Sequence, residues 1–196
     1  YPAMTLVPHE RNFQRVPPRD SKVWKTPMFE QYWRIKEGIT DALLFYRMGD
    51  FYELFGQDAI TAAPILEVQL TARDKDAEIP VPMCGVPFHA WDSYAERILA
   101  KGLKIALCEQ LSEPGKTKLV ERGVVRILTP GLPVDFKKLD SKAPHFFASI
   151  SISNKGTELC LLDFLGGQYF SGLIESPEHL KDIFAKSDPK EILLPS

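Results

Sequence analysis

Residues 43–55 read Leu43-Leu44-Phe45-Tyr46-Arg47-Met48-Gly49-Asp50-Phe51-Tyr52-Glu53-Leu54-Phe55. The short apolar run Leu43 to Arg47 predicts a strand. Gly49-Asp50 predicts a turn, because glycine reaches positive φ without steric cost and aspartate bonds its own backbone. Beyond it, Ala59, Ala62, Ala63 and Leu66 recur at helical spacing and predict a helix over 56–68. The turn carries an apolar ring, Phe51, beside a carboxylate, Glu53, an odd pairing for a core.

Working outward, Thr26 is a helix N-cap with Pro27 at the first helical position, and Met28, Phe29, Tyr32 and Ile35 carry the period to Gly38. Ala72 to Glu78 is polar and charge-rich and predicts a loop. Ile79 to Val86 holds Pro80, Pro82 and Gly85, so it reads as an extended edge at best. His89 to Ala100 predicts a helix with Trp91, Tyr94, Ile98 and Leu99 near one face and Gly102 as its stop. Leu103 to Leu107 and Val124 to Leu128 complete a small mixed sheet, so the fold class is α/β (α+β).

Residues 1–21 hold Pro2, Pro8, Pro17 and Pro18 among charges without a period and predict an irregular lead-in. Pro130-Gly131, Pro133 and the charged 135–142 mark a linker over 132–144 between a domain at 22–131 and a second one from His145. Phe146 to Ile152, Thr157 to Phe164 and Gln168 to Ile174, joined by Asn154-Lys155-Gly156 and Gly166-Gly167, predict an antiparallel meander. Pro177 to Lys186 then predicts a helix, and Glu191 to Leu194 a strand. This is the opening order of a ribonuclease H-like fold, one expected to be incomplete at Ser196.

The chain has 196 residues, 44% of them hydrophobic, which suits one large or two small domains. No run approaches the roughly 18 apolar residues of a membrane span. The start lacks a basic region followed by an apolar stretch, so a cytoplasmic, nucleoid-associated protein is expected. Cys84, Cys108 and Cys160 are odd in number and unpaired in spacing, which supports neither a disulfide framework nor a zinc site. The net charge is −2, and residues 22–131 hold 14 basic and 15 acidic residues. Nucleic-acid affinity normally comes from cations that release counterions from phosphates, so any DNA binding by this piece alone is expected to be weak.

Further strings accompany the turn: Thr26-Pro27-Met28, Pro82-Met83-Cys84-Gly85-Val86-Pro87-Phe88-His89-Ala90, Cys108-Glu109-Gln110 and Val124-Val125-Arg126-Ile127-Leu128-Thr129-Pro130-Gly131. Together with Gly49 to Phe55 this series resembles the N-terminal part of the bacterial MutS family of mismatch-repair proteins. The resemblance implies a mismatch-recognition domain followed by the start of a connector domain. It also implies mismatched double-stranded DNA as the ligand. For the longer family protein it implies a homodimer, asymmetric on DNA, an ATPase cycle using ATP and Mg, and a downstream MutL-type partner. No cofactor, and no enzymatic activity, is expected within these residues. Residues 1–21 have no counterpart in that pattern.

By the same resemblance Phe51 is the stacking residue, Glu53 the base-edge partner, and Tyr52 between them structural. Physically, an exposed ring can wedge into a minor groove and kink the duplex, and unstacking costs least where a base is already mispaired. A carboxylate near phosphates is repelled and its pKa rises, so a neutral Glu53 can donate to a base acceptor. The alternative is that Phe51, Tyr52, Leu54 and Phe55 are simply core. Met48 and Asp50 flank the ring and could line the groove, or Gly49-Asp50 serves only as a turn. Arg73 and Lys75 are candidate phosphate contacts or plain solvated loop residues, partly neutralised by Asp74 and Asp76. His89 matches a position near the DNA backbone in the family, or is an ordinary residue at a helix start.

Gly115-Lys116-Thr117 ends like a phosphate-binding loop, but the first glycine of that motif would fall on Gln110 and no apolar helix follows. A metal nuclease of the ribonuclease H-like kind needs several converging acids. Asp163 supplies one, and Phe146 to Ile152 supplies none. A structural connector or partner-docking module is the remaining alternative, and the main reading for 145–196.

Overall fold

The computed structural model describes residues 13–112, 120–132, 134 and 144–195. Lys116 and its neighbours, with most of the expected linker, lie outside them. The chain divides into two compact units, one built from residues up to Ile98 with Ile105–Ile127, the other from Leu99–Lys104 with Leu128–Ser196. Leu128 to Gly131 fall in the second of these units. Gly131 is buried there, its N–H donating to Glu191 Oε2 at 3.3 Å and its carbonyl 2.6 Å from His145 Nε2.

The first unit, apart from the end residues Leu99, Lys104 and Leu128, holds α1 (Pro27–Lys36), β1 (Ala42–Met48), β2 (Phe51–Phe55), α2 (Gly56–Leu66), β3 (Thr71–Arg73), β4 (Val81–Pro87), α3 (Trp91–Leu99), β5 (Lys104–Gln110) and β6 (Arg122–Leu128). The strands form one sheet in the order β3-β4-β2-β1-β5-β6. Thr26 caps α1 as expected, its Oγ1 accepting from Phe29 N at 3.3 Å. Arg34 and Lys36 sit in the last turn of α1, where cations suit the helix dipole.

The structure departs from the sequence reading in three places. Phe51 to Phe55 is a strand hydrogen-bonded on both sides, to β1 and to β4. Ala72 and Arg73 lie in β3, not in a loop. Residues 81–87 form an interior strand, not an edge. Prolines are tolerated there because the two ladders on this strand share Met83 alone: Pro82 pairs with Ala72 of β3 and Pro87 with Phe51 of β2, so each has one side without a ladder. A smaller difference is that α3 starts at Trp91, Phe88–Ala90 forming a 3-10 turn before it.

Every residue of β1 from Ala42 to Tyr46 is buried, so the strand is covered on both faces. On one face Leu44, Tyr46 and Phe55 pack with Trp24, Phe29 and Tyr32. The rings meet edge to face, Trp24 to Phe29 at 4.7 Å, Phe29 to Phe55 at 5.2 Å and Tyr32 to Phe55 at 5.3 Å. Each fully buried side chain of this size contributes about 1.5–3 kcal/mol. On the other face Tyr52 lies 6.2 Å from Phe45 and 6.0 Å from Trp91. Asp58 ties the elements together, its Oδ2 accepting from Leu44 N and from Lys36 Nζ, each at 2.9 Å. The lead-in from residue 13 is irregular yet packed. Pro17 is buried, and its carbonyl accepts the Trp24 indole N–H at 3.2 Å.

The second unit holds β7 (Phe146–Ser153), β8 (Gly156–Asp163), β9 (Gln168–Ile174), α4 (Pro177–Ser187) and β10 (Glu191–Leu193), in the expected order of strand, strand, strand, helix, strand. Its sheet is mixed, β10-β7-β8-β9, with β10 parallel to β7 and the rest antiparallel. Leu180, Ile183 and Phe184 of α4 cover Ala148, Leu159 and Leu161. Asp163 Oδ1 accepts from His145 N at 3.0 Å and from Leu165 N at 3.2 Å. These backbone bonds, His145 first, hold its carboxyl below the usual range. Among the described residues no helix is long and apolar enough to cross a membrane.

Candidate nucleic-acid interface

β1 and β2 form a hairpin in which Met48 pairs with Phe51, leaving a loop of Gly49 and Asp50. Gly49 has φ +58° and Asp50 does not adopt positive φ. Positive φ at the first loop position alone is the II′ pattern, whose twist matches that of the flanking strands. Nothing lies within 4 Å of where a Gly49 Cβ would stand, so its conformation, not crowding, demands glycine.

Strand alternation sorts the residues of β2. Tyr52 and Leu54 point into one layer and are buried. Phe51, Glu53 and Phe55 share the opposite face. Phe55 ends in the aromatic core at 1% exposure, Glu53 is half-buried, and Phe51 stands at the tip at 48%. Met48, cross-strand from Phe51, is half-buried and packs on the core cluster beneath it. The aromatic-core alternative therefore holds for Tyr52, Leu54 and Phe55 and fails for Phe51.

Glu53 lacks the solvation that a carboxylate wants. Its Oε2 is buried and accepts no hydrogen bond among the described residues. The Arg73 guanidinium is 3.6 Å away, close enough for charge attraction and too long for a hydrogen bond. Burial raises the Glu53 carboxyl above its usual value, against the pull of Arg73 and Arg122. Across the ladder Glu53 faces Gly85, where a Cβ would stand 3.7 Å from Glu53 Cγ and 4.0 Å from Phe51 Cδ1. Gly85 borders an open depression of 390 Å³ together with Phe51, Glu53, Val68, Gln69, Thr71 and Met83.

Asp50 is exposed at the loop, and its carbonyl accepts from Phe88 N at 2.8 Å. That bond brings the 3-10 turn of Phe88–Ala90, and with it exposed His89, beside the hairpin tip. Arg73 lies beside Glu53 and stacks 5.9 Å from the Phe29 ring, so part of its charge is already used inside the protein. Lys75 falls elsewhere. It lies on the turn before Val81, whereas Phe51 pairs with Pro87, six strand residues further on or roughly 20 Å.

The sequence reading missed Arg47, Phe88 and Gly85 as parts of this site. Arg47 lies over the Phe88 ring at 3.4 Å and donates from Nε to Gly49 O at 2.5 Å. Tyr52 OH donates to Glu109 Oε1, and burial first, then Glu109, pushes its phenol far up. Burial pushes the Cys84 and Cys108 thiols up to about 12, which leaves them inert.

Residues 26–137 match the family model described as MutS domain I. The chain is 46% identical over 172 residues to the DNA mismatch repair protein MutS of Syntrophobacter fumaroxidans. That alignment takes 86% of this chain and 19% of the relative. It is 42% identical over 171 residues to the protein of that name from Anaeromyxobacter sp., covering 87% and 19%. With the one from Caldanaerobacter subterraneus it shares 43% over 176 residues, covering 88% and 20%. The chain spans about a fifth of the length of these relatives. With the family model covering more than half of its residues, the chain belongs to the MutS family and carries that family's domain I.

Proposed function

We propose that residues 22–131 recognise mismatched double-stranded DNA in mismatch repair. Phe51 enters the minor groove at a mispair or small loop and stacks on a base, and Glu53 contacts the displaced base edge. The observation that carries this reading is the graded face of β2, where one ring of an otherwise buried row stands out beside a desolvated carboxyl. A ring that the fold holds half-exposed at a rigid tip loses little entropy on insertion, and a mispaired step is the cheapest to unstack. Burial favours the neutral form of Glu53, which has a proton to give to a base acceptor. Met48 and Asp50 line the approach, Arg73 stands behind the tip beside Glu53, His89 adjoins the tip, and Lys75 reaches the backbone of a different stretch of duplex.

Residues 145–196 act as the start of a connector domain. Asp163 supports a structural role there, since its oxygens are taken by backbone donors. ATP and Mg belong to another part of the longer protein, Gln110 standing where a phosphate-binding loop needs glycine. In that protein we place a homodimer, a MutL-type partner and a cytoplasmic, nucleoid-associated location.

The test is fluorescence anisotropy of the intact protein with a G·T duplex and its paired control, with Phe51→Ala alongside. Loss of mismatch preference in the variant is expected. A variant that keeps the preference sinks the reading.

A further inference from the structure

We infer that Arg47 is a positioning residue for the Phe51 wedge, held against Phe88 as a clamp on the hairpin tip and not spent on phosphate. The inference rests on the reading of Phe51 above. Four contacts converge on the tip. The Arg47 guanidinium carbon stands 3.4 Å from the Phe88 ring centroid. Its Nε–H donates to the carbonyl of Gly49, the loop residue with φ +58°. The next loop carbonyl, Asp50 O, accepts from Phe88 N at 2.8 Å. Arg47's own carbonyl accepts from Arg122 Nε at 2.7 Å, and Arg122 also donates to Gln31 Oε1 at 3.1 Å.

A two-residue loop by itself leaves the outermost pair, Met48 and Phe51, free to fray. Here both loop carbonyls are occupied, by Arg47 and by the backbone of Phe88, and Arg47 lies on the very ring that backbone carries. Tip and 3-10 turn therefore move as one body. Phe88 is 42% exposed, so its ring is available as a platform and not sealed in the core. The ring contact and the Nε bond fix the direction of the guanidinium, which is what a positioning role needs.

The experiment uses the intact protein with Arg47→Ala, Arg47→Lys, Phe88→Leu and Phe51→Ala, each bound to G·T and paired duplexes over a range of salt. Thermal melting confirms folding. Arg47→Ala is expected to lose roughly tenfold in affinity for the mismatch, the combined worth of one cation–π contact and one hydrogen bond. Its affinity for paired DNA and its salt slope stay those of wild type. Phe88→Leu, which keeps the charge and removes the platform, is expected to lose mismatch affinity in the same selective way. Arg47→Lys, with charge but no planar fork, recovers only part.

Equal loss on both duplexes, with the log–log salt slope smaller by about 1, would make Arg47 a phosphate ligand and overturn the proposal. So would wild-type discrimination in Arg47→Ala, or in Phe88→Leu. If Phe51→Ala alone loses discrimination, the clamp is wrong and the wedge stands. If Phe51→Ala keeps it, the wedge reading itself has failed.

Discussion

Phe51 and Phe55 stand on the same face of one five-residue strand, and one is 48% exposed while the other is at 1%. Their chemistry is identical. The difference is what lies over each: Trp24-facing aromatics of α1 cover Phe55, and β2 outruns that cover by the time it reaches Phe51.

Truncating the two rings should therefore have opposite consequences. Phe55→Ala opens a cavity in a packed aromatic cluster and is expected to cost about 3–5 kcal/mol. Phe51→Ala is expected to stay within about 0.5 kcal/mol of wild type. Urea denaturation of the two variants checks this, and a large loss for Phe51→Ala would return that ring to the core.

The Glu53 carboxyl gives stability a pH dependence of definite sign. Its folded-state pKa lies above the usual value because burial dominates. As pH rises, the unfolded chain releases this proton first, and the folded state must then surrender it at a cost. Wild type is expected to lose stability relative to Glu53→Gln as pH rises from the acid range through that raised pKa. A difference that grows in favour of wild type would mean that attraction to Arg73 outweighs burial.

Gly85 tests the floor of the depression. Gly85→Ala adds a methyl at 3.4 Å from Tyr52 O and 3.7 Å from Glu53 Cγ, ordinary contacts, and should cost under about 1 kcal/mol. Gly85→Val branches toward Phe51 and Glu53 and is expected to cost about 1–3 kcal/mol and to weaken binding to mismatched DNA more than to paired DNA. Parallel denaturation and anisotropy titrations separate the two effects.

Within the second unit, a Cβ on Gly131 would stand 2.5 Å from Phe147 Cε1 and 2.8 Å from Glu191 Cβ. Gly131→Ala should destabilise that unit by about 1–3 kcal/mol through this overlap. Differential scanning calorimetry reads it, and an unchanged melt would show that the loop shifts aside at no cost.

Local signals carried much of this protein. The Thr26-Pro27 cap starts α1, Gly49-Asp50 turns the hairpin, and the meander over 146–174 appears as its alternation suggests, because each depends on residues adjacent in the chain. The motif series around Gly49 to Phe55 identified the family, which the match over 26–137 shows. What tertiary structure decided was exposure, pairing and partnership. Alternation along Phe51 to Phe55 marks one face but cannot say where the covering helix ends. Pro82 argued for an edge, and only the register shows that the β3 and β2 ladders share Met83 alone, so that each proline keeps one side without a ladder. The contacts of Arg47 with Phe88, and of Glu53 with Arg73, join residues 41 and 20 positions apart. Such contacts are set by strand register, a property of the sheet that no single segment encodes.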